Sequence, residues 1–163
     1  MQMSYKSILL TTVLVLSLLV LQGCAGSKRA RRIKAQRVEQ VIGTARSYIG
    51  TPYKWGGTNR SGLDCSALLV LSYRAIGLEL PRTSKDQSEM GDKVKTSKLQ
   101  PGDLVFFAMG NKKRKVTHAG IITVVNSADD IRFIHASTSR GVIEANLMQE
   151  YYIDKLRGAR RIL

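Results

Sequence analysis

The chain predicts an α+β fold, with helices ahead of a mainly antiparallel sheet, and three observations carry that prediction. Apolar residues recur at helical spacing from Val38 to Ile49, and a second helical pattern runs over Cys65–Ile76. The texture changes at Pro101-Gly102. Beyond it, short apolar runs alternate with turn signals, as strands do. At 163 residues the chain suits one domain, and 44% hydrophobic content excludes a disordered one. Two cysteines make neither a disulfide scaffold nor a four-thiolate zinc site.

The N-terminus reads apart from that domain. Ile8–Leu21 holds no charge and follows Lys6. It is short for a bilayer span, which takes roughly 18 or more apolar residues, and fits the core of a secretory signal peptide. Leu21-Gln22-Gly23-Cys24 then resembles a lipobox, so residues 1–23 are expected to be removed and Cys24 lipidated. Ala25 in place of Asp favours an outer-membrane anchor facing the periplasm. The formal charge of +14 is concentrated in two runs, Lys28–Arg37 and Lys112–Lys115. Residues 24–37 read as a basic tether attracted to anionic head groups, worth ~1 kcal/mol per basic residue near the surface. Aromatics are not interleaved with the charge, so nucleic acid is not expected as a partner.

The domain is expected over 38–163. Val38, Val41, Ile42, Ala45 and Ile49 form a helical stripe ended by Gly50, and Thr51–Gly62 reads as a loop. Asp64 supplies an N-cap for the helix Cys65–Ile76, closed by Gly77. Ala67–Leu71 is apolar all round, so this helix should be buried centrally. Ser84-Lys-Asp-Gln87 matches a capping box and opens a short third helix. Strands follow at Leu104–Ala108, Val116–Val125, Ile131–Ala136, Val142–Ala145 and Ala159–Leu163, with a helical turn or two in Asn146–Asp154.

With Cys24 committed to lipid, Cys65 is the one free thiol, placed in the first turn of a helix. At an unperturbed pKa of ~8.5 about 3% of a thiol is ionised at pH 7, and lowering that to ~5 takes roughly 4.8 kcal/mol. A helix end supplies ~1–2 kcal/mol. A nearby imidazolium must supply most of the remainder, and the two histidines, His118 and His135, both lie on predicted strands. An antiparallel register such as Val124 opposite Asp129 sets His118 beside His135, whereas a slip of one residue sends them to opposite faces. Paired, they make a nucleophile–base–orienter set with Cys65. A zinc site from the same three residues is the alternative on ligand count, but the close local spacing of common zinc motifs is absent, and no metal or other cofactor is expected.

The motifs Thr51-Pro-Tyr53-Lys-Trp55-Gly-Gly57, Asp64-Cys65-Ser66, Leu80-Pro-Arg82-Thr-Ser84, Pro101–Phe107, His118-Ala-Gly-Ile and Ile134-His135-Ala resemble, in order, those of the NlpC family of bacterial cell-wall cysteine peptidases. Ala67 departs from it, standing where the family usually has Gly. The resemblance implies a papain-like core, Cys65 as nucleophile, His118 as base and then acid, and His135 as third member. It implies Tyr53, Asp64, Ser66, Arg82 and Ser84 as contacts to a peptidoglycan stem peptide. The bond is expected to be γ-D-glutamyl–diamino acid or the D-alanyl–diaminopimelate cross-link. A thiol acyltransferase or amidase on another envelope substrate, or a non-catalytic scaffold, are the rival functions. A monomer is the default state.

Overall fold

The computed structural model describes residues 5–110 and 115–163, with 6–25 described by backbone alone. It divides into two compact units, Met1–Gln36 and Arg37–Leu163. Helix α1 is Tyr5–Arg46. Within the first unit residues 26–36 are exposed, and the basic stretch read as a tether is helical there, as its Lys, Arg and Ala content favours. The Cys24 side chain, the side chains of Ile8–Leu21 and residues 111–114 of the second basic run lie outside the described residues, while Lys115 is exposed. Among the described residues no helix is long and apolar enough to cross a membrane.

In the second unit, α1 buries Val41, Ile42 and Ala45 as its stripe predicts. Ile49 departs from that stripe: the helix ends at Arg46, and the following turn leaves Ile49 52% exposed. The loop expected over Thr51–Gly62 holds a small hairpin, β1 (Thr58–Asn59) and β2 (Gly62–Leu63), turned where Asn59 Oδ1 accepts from the Ser61 amide. Helix α2 (Cys65–Arg74) begins at the predicted Asp64 cap, whose carboxylate accepts from the Ala67 amide at 2.8 Å. Its end is tied at Leu78, whose amide donates to Tyr73 O. Leu68, Leu69 and Tyr73 are wholly enclosed, each such side chain contributing about 1.5–3 kcal/mol. Helix α3 is the short turn Ser84–Gln87.

The sheet has six strands in the order β3-β8-β4-β5-β6-β7, every pair antiparallel. They are β3 (Asp92–Val94), β4 (Leu104–Phe107), β5 (His118–Val125), β6 (Ile131–Ser137), β7 (Gly141–Asn146) and β8 (Leu156–Arg161), with α4 (Glu150–Ile153) between the last two. The α+β class is thus the observed one. Alternation divides the core: Leu104, Phe106, Ala119, Ile121 and Ile134 face α2, while Val105, Phe107, Ile122 and Phe133 pack beneath Leu99 and Tyr152. Strand β3 escaped the sequence reading because an exposed, charged edge strand has no apolar alternation. Strand β8 starts three residues early for the same reason, its Leu156–Gly158 stretch being partly or wholly exposed.

The β5–β6 register corrects the one expected. Ile121 pairs with Ile134 and Ile122 with Phe133, then a bulge at Thr123 shifts the ladder to Val124 opposite Arg132. Near the histidines the strands have slid by two residues, which preserves the face because side chains alternate with period two. The turn after β6 is pinned at Gly141, whose φ is +69° and where a Cβ would collide with the Thr51 carbonyl. The Val142 amide donates to Thr51 O at 2.9 Å, and the Gly50 amide to Val142 O at 3.0 Å. These contacts hold the hairpin tip against the segment leading to Tyr53.

Candidate active site

Cys65 stands at the first residue of α2, 6% exposed, with Sγ 3.4 Å from Ser84 Oγ. The Ala119 and Ser66 amides also point to the sulfur, which brings the start of β5 to the helix end. Burial pushes the Cys65 thiol up from its ordinary value, and the Asp64 charge adds to that, against Ser84 and the amides. Burial likewise holds His118 down to about 4. His135 is held down to about 3 by burial, then by the His118 and Arg140 charges. Burial at both groups therefore works against the expected thiolate–imidazolium pair. Enclosure opposes the helix end at the thiol and favours the neutral imidazole.

The two histidines meet as a diagonal pair, His118 Nε2 to His135 Nδ1 at 2.8 Å, and His135 Nε2 lies 3.2 Å from the Tyr152 hydroxyl. Only one proton arrangement leaves His118 a base. It donates from Nε2 to His135 Nδ1, His135 donates from Nε2 to the Tyr152 oxygen, and His118 Nδ1 keeps its lone pair. Tyr152, 3% exposed on α4, is the member that sequence reading missed; Tyr151-Tyr152 carries no motif, and only the fold brings it to His135.

Phe133 stacks on His135 with ring centroids 4.7 Å apart and 11° between planes. It has room because residue 120 is glycine: a Cβ there would stand 2.7 Å from Phe133 Cδ2. Gly120→Ala should therefore cost about 1–3 kcal/mol by overpacking and lower kcat through His135. Denaturant midpoints and turnover of the same preparation check this, and two unchanged values would refute it.

On the other side of the thiol, Asp64 accepts hydrogen bonds from the Gly56 and Ala67 amides, Ser66 Oγ and both terminal nitrogens of Arg82. Burial alone would raise the Asp64 carboxyl; the Arg82, Ala67 and Ser66 hydrogen bonds outweigh it and hold the group below the usual range. Ser84 is not the cap the sequence suggested. Thr83 caps α3, its Oγ1 accepting from the Asp86 amide, and Gln87 turns to Ser66 O and Pro81 O instead of closing a box. That one-residue shift frees the Ser84 hydroxyl for Cys65. Burial first, then the Cys65 and Asp64 charges, raise the Tyr53 phenol. Asp103, 1% exposed, binds Arg161 through both oxygens and ties β8 to the start of β4.

The cleft has two halves that share Tyr53, Trp55 and Thr117. One, of about 520 Å³, holds Cys65, Asp64, Ser66, Arg82 and Ser84; the other, of about 710 Å³, holds His118, His135 and Arg140. The five residues expected to bind the stem peptide thus converge beside the nucleophile. Ala67 is 2% exposed and lines neither half. Among the described residues no three His, Cys, Asp or Glu side chains are placed to hold a metal ion.

A buried thiol at a helix N-terminus, with a histidine pair on an adjoining antiparallel sheet, defines a cysteine peptidase of papain-like build. The family model described as the NlpC/P60 family matches residues 50–161, and the chain belongs to that family. A probable endopeptidase NlpC of Escherichia coli (strain K12) is 36% identical over 157 residues, covering 92% of this chain and 97% of that protein. The murein DD-endopeptidase MepS/murein LD-carboxypeptidase of the same strain is 41% identical over 115 residues, covering 70% of this chain and 57% of that one. The crystal structure of an NlpC/P60 family protein from Bacillus cereus ATCC 10987 superposes with a TM-score of 0.69 at 35% identity, over 77% of this chain and 40% of that one. The chain therefore spans nearly the whole of the first relative and little more than half of the second.

Proposed function

We propose that the protein is a lipid-anchored peptidoglycan endopeptidase that cuts an amide of the stem peptide or its cross-link. The observation that carries this reading is the chain of contacts His118–His135–Tyr152 on one half of a two-sided cleft, with Cys65 on the other half beside the amide of Ala119, the residue after His118. Sγ gives its proton to His118 Nδ1 and attacks the amide carbonyl carbon. The oxyanion is met by the Cys65 backbone N–H, a first-turn donor without an intrahelical partner. His118 then protonates the leaving amine and a thioester forms. Water attacks the thioester, its proton passing to His118 and on to the departing sulfur, which restores the thiol. Tyr53, Ser66, Arg82 and Ser84 meet the acyl side of the substrate, and Asp64 holds Arg82 in place.

We take the D-alanyl–diaminopimelate cross-link as the first bond to test, after the relative named as a murein DD-endopeptidase. The anchor is lipid on Cys24, aided by the basic helical stretch near anionic head groups at the outer membrane. Full-length protein in detergent, beside Cys65→Ala, should release new muropeptides from peptidoglycan only in the wild type, and their masses name the bond. The mass of the mature N-terminus reads the lipid. Identical muropeptide profiles from both proteins would overturn the enzymatic reading.

A further inference from the structure

We propose that Arg140 recognises a free carboxylate on the amine-side residue of the scissile bond, so that the histidine half of the cleft selects an acidic diamino acid. The inference rests on the proposed reaction and assigns what that half of the cleft reads.

The general acid decides which half holds which part of the substrate. His118 must deliver its proton to the leaving amine, so that amine and the residue it belongs to lie over the histidines. Among the described residues lining that half, Arg140 is the one permanently charged side chain. It is exposed and, among the described residues, pairs with no carboxylate. The other arginine of the cleft, Arg82, is already neutralised by Asp64 at 2.7 Å. Arg140 also sits on the hairpin tip held at Gly141 to Thr51, so its backbone is fixed relative to the segment carrying Tyr53. Its charge is felt at His135, and it donates a hydrogen bond to the Tyr152 hydroxyl, which places it at the far end of the histidine line with the rest of its donors left for a ligand. A guanidinium presents a planar fork that matches a carboxylate through two parallel hydrogen bonds. Ser137 and Ser139 add neutral hydroxyls in the same lining. Diaminopimelate on the amine side carries the carboxylate that such a fork would take.

The test compares two synthetic cross-linked peptide dimers, identical except that the free carboxylate of the amine-side diaminopimelate is amidated in one. Full-length wild type, Arg140→Gln and Arg140→Lys are assayed on both. Wild type is expected to favour the acid dimer by about tenfold to a hundredfold in kcat/KM, the scale of a charge-assisted pair that is partly exposed. Arg140→Gln should bring the ratio near one, with Arg140→Lys between them. A ratio unmoved by Arg140→Gln overturns the inference, including the case where both rates fall together because Arg140 only supports Tyr152. Cleavage of neither dimer by wild type would instead sink the peptidase reading, and this inference with it.

Discussion

Replacing His118 with glutamine is expected to lower kcat/KM for stem-peptide cleavage by about a thousandfold to ten-thousandfold, the upper range for a general base that also serves as acid. Glutamine is polar and comparable in size, so the loss would report chemistry. Residual turnover above background remains, since first-turn amide donors still meet an oxyanion. His135 should behave differently, because it acts through its partner. His135→Asn keeps an oxygen that can accept from His118 Nε2, 2.8 Å from Nδ1 in the wild type, and should lose only about tenfold. His135→Leu removes the acceptor, strands the His118 N–H in a buried site and lets the imidazole take the wrong tautomer. A wrong tautomer has cost about 10,000-fold in a serine triad, and a loss of about a hundredfold or more is expected here. Tyr152→Phe, one step further out, should cost only a few-fold. Steady-state kinetics on one defined muropeptide ranks the four variants. A fully active His135→Leu, or a His118→Gln loss no larger than that of Tyr152→Phe, would break the proposed order.

Much of this site was legible in the sequence, and what was not has physical causes. Asp64 before a run of apolar residues signals a buried helix with a capped start, and both features are present. For the histidines the sequence offered a register that would set them on one face, and the fold reaches that face through a different register. Alternation ties face to register, and the register itself, with its slide by two residues and bulge at Thr123, depends on how β4, β6 and β7 fit together. Ser84 reads as the cap because Ser outranks Thr as an N-cap, yet Thr83 takes the position one residue earlier. The burial that opposes ionisation of the thiol is not legible, because position along a helix is written in sequence, while enclosure by Ala119 and Ser84 from distant segments is not. Tyr152 was illegible for the same reason, reaching His135 only through the turn that docks α4.

Acidification below about pH 6.5 is expected to destabilise the protein steeply, because the same histidines that serve the chemistry are buried neutral. In the folded state His118 titrates at about 4 and His135 at about 3, against ~6.5 for an unperturbed imidazole. The unfolded chain therefore binds two protons that the folded one refuses, and stability falls with pH until the folded values are reached. By about pH 4.5 each histidine costs about 2.5 kcal/mol, so the pair removes about 5 kcal/mol of a domain stability that is typically 5–15. Asp64 works with the same sign but lower in pH, its contribution being lost as pH falls through its depressed value. The raised Cys65 thiol sets the opposite edge: stability is complete below its unfolded value and is lost as pH climbs above it. Urea unfolding across this range should give a plateau from about pH 6.5 to about 8.5 with a steep acid side. The double variant His118→Gln, His135→Asn should flatten that acid side; an equal slope in the double variant would place its origin elsewhere. Catalysis adds a consequence that separates folding from chemistry. Thiol with imidazole and thiolate with imidazolium contain the same number of protons, so interconversion between them is independent of pH. The rate should then stay level across the stability plateau, and its acid limit should follow unfolding, since His118 itself does not take up a proton until about 4.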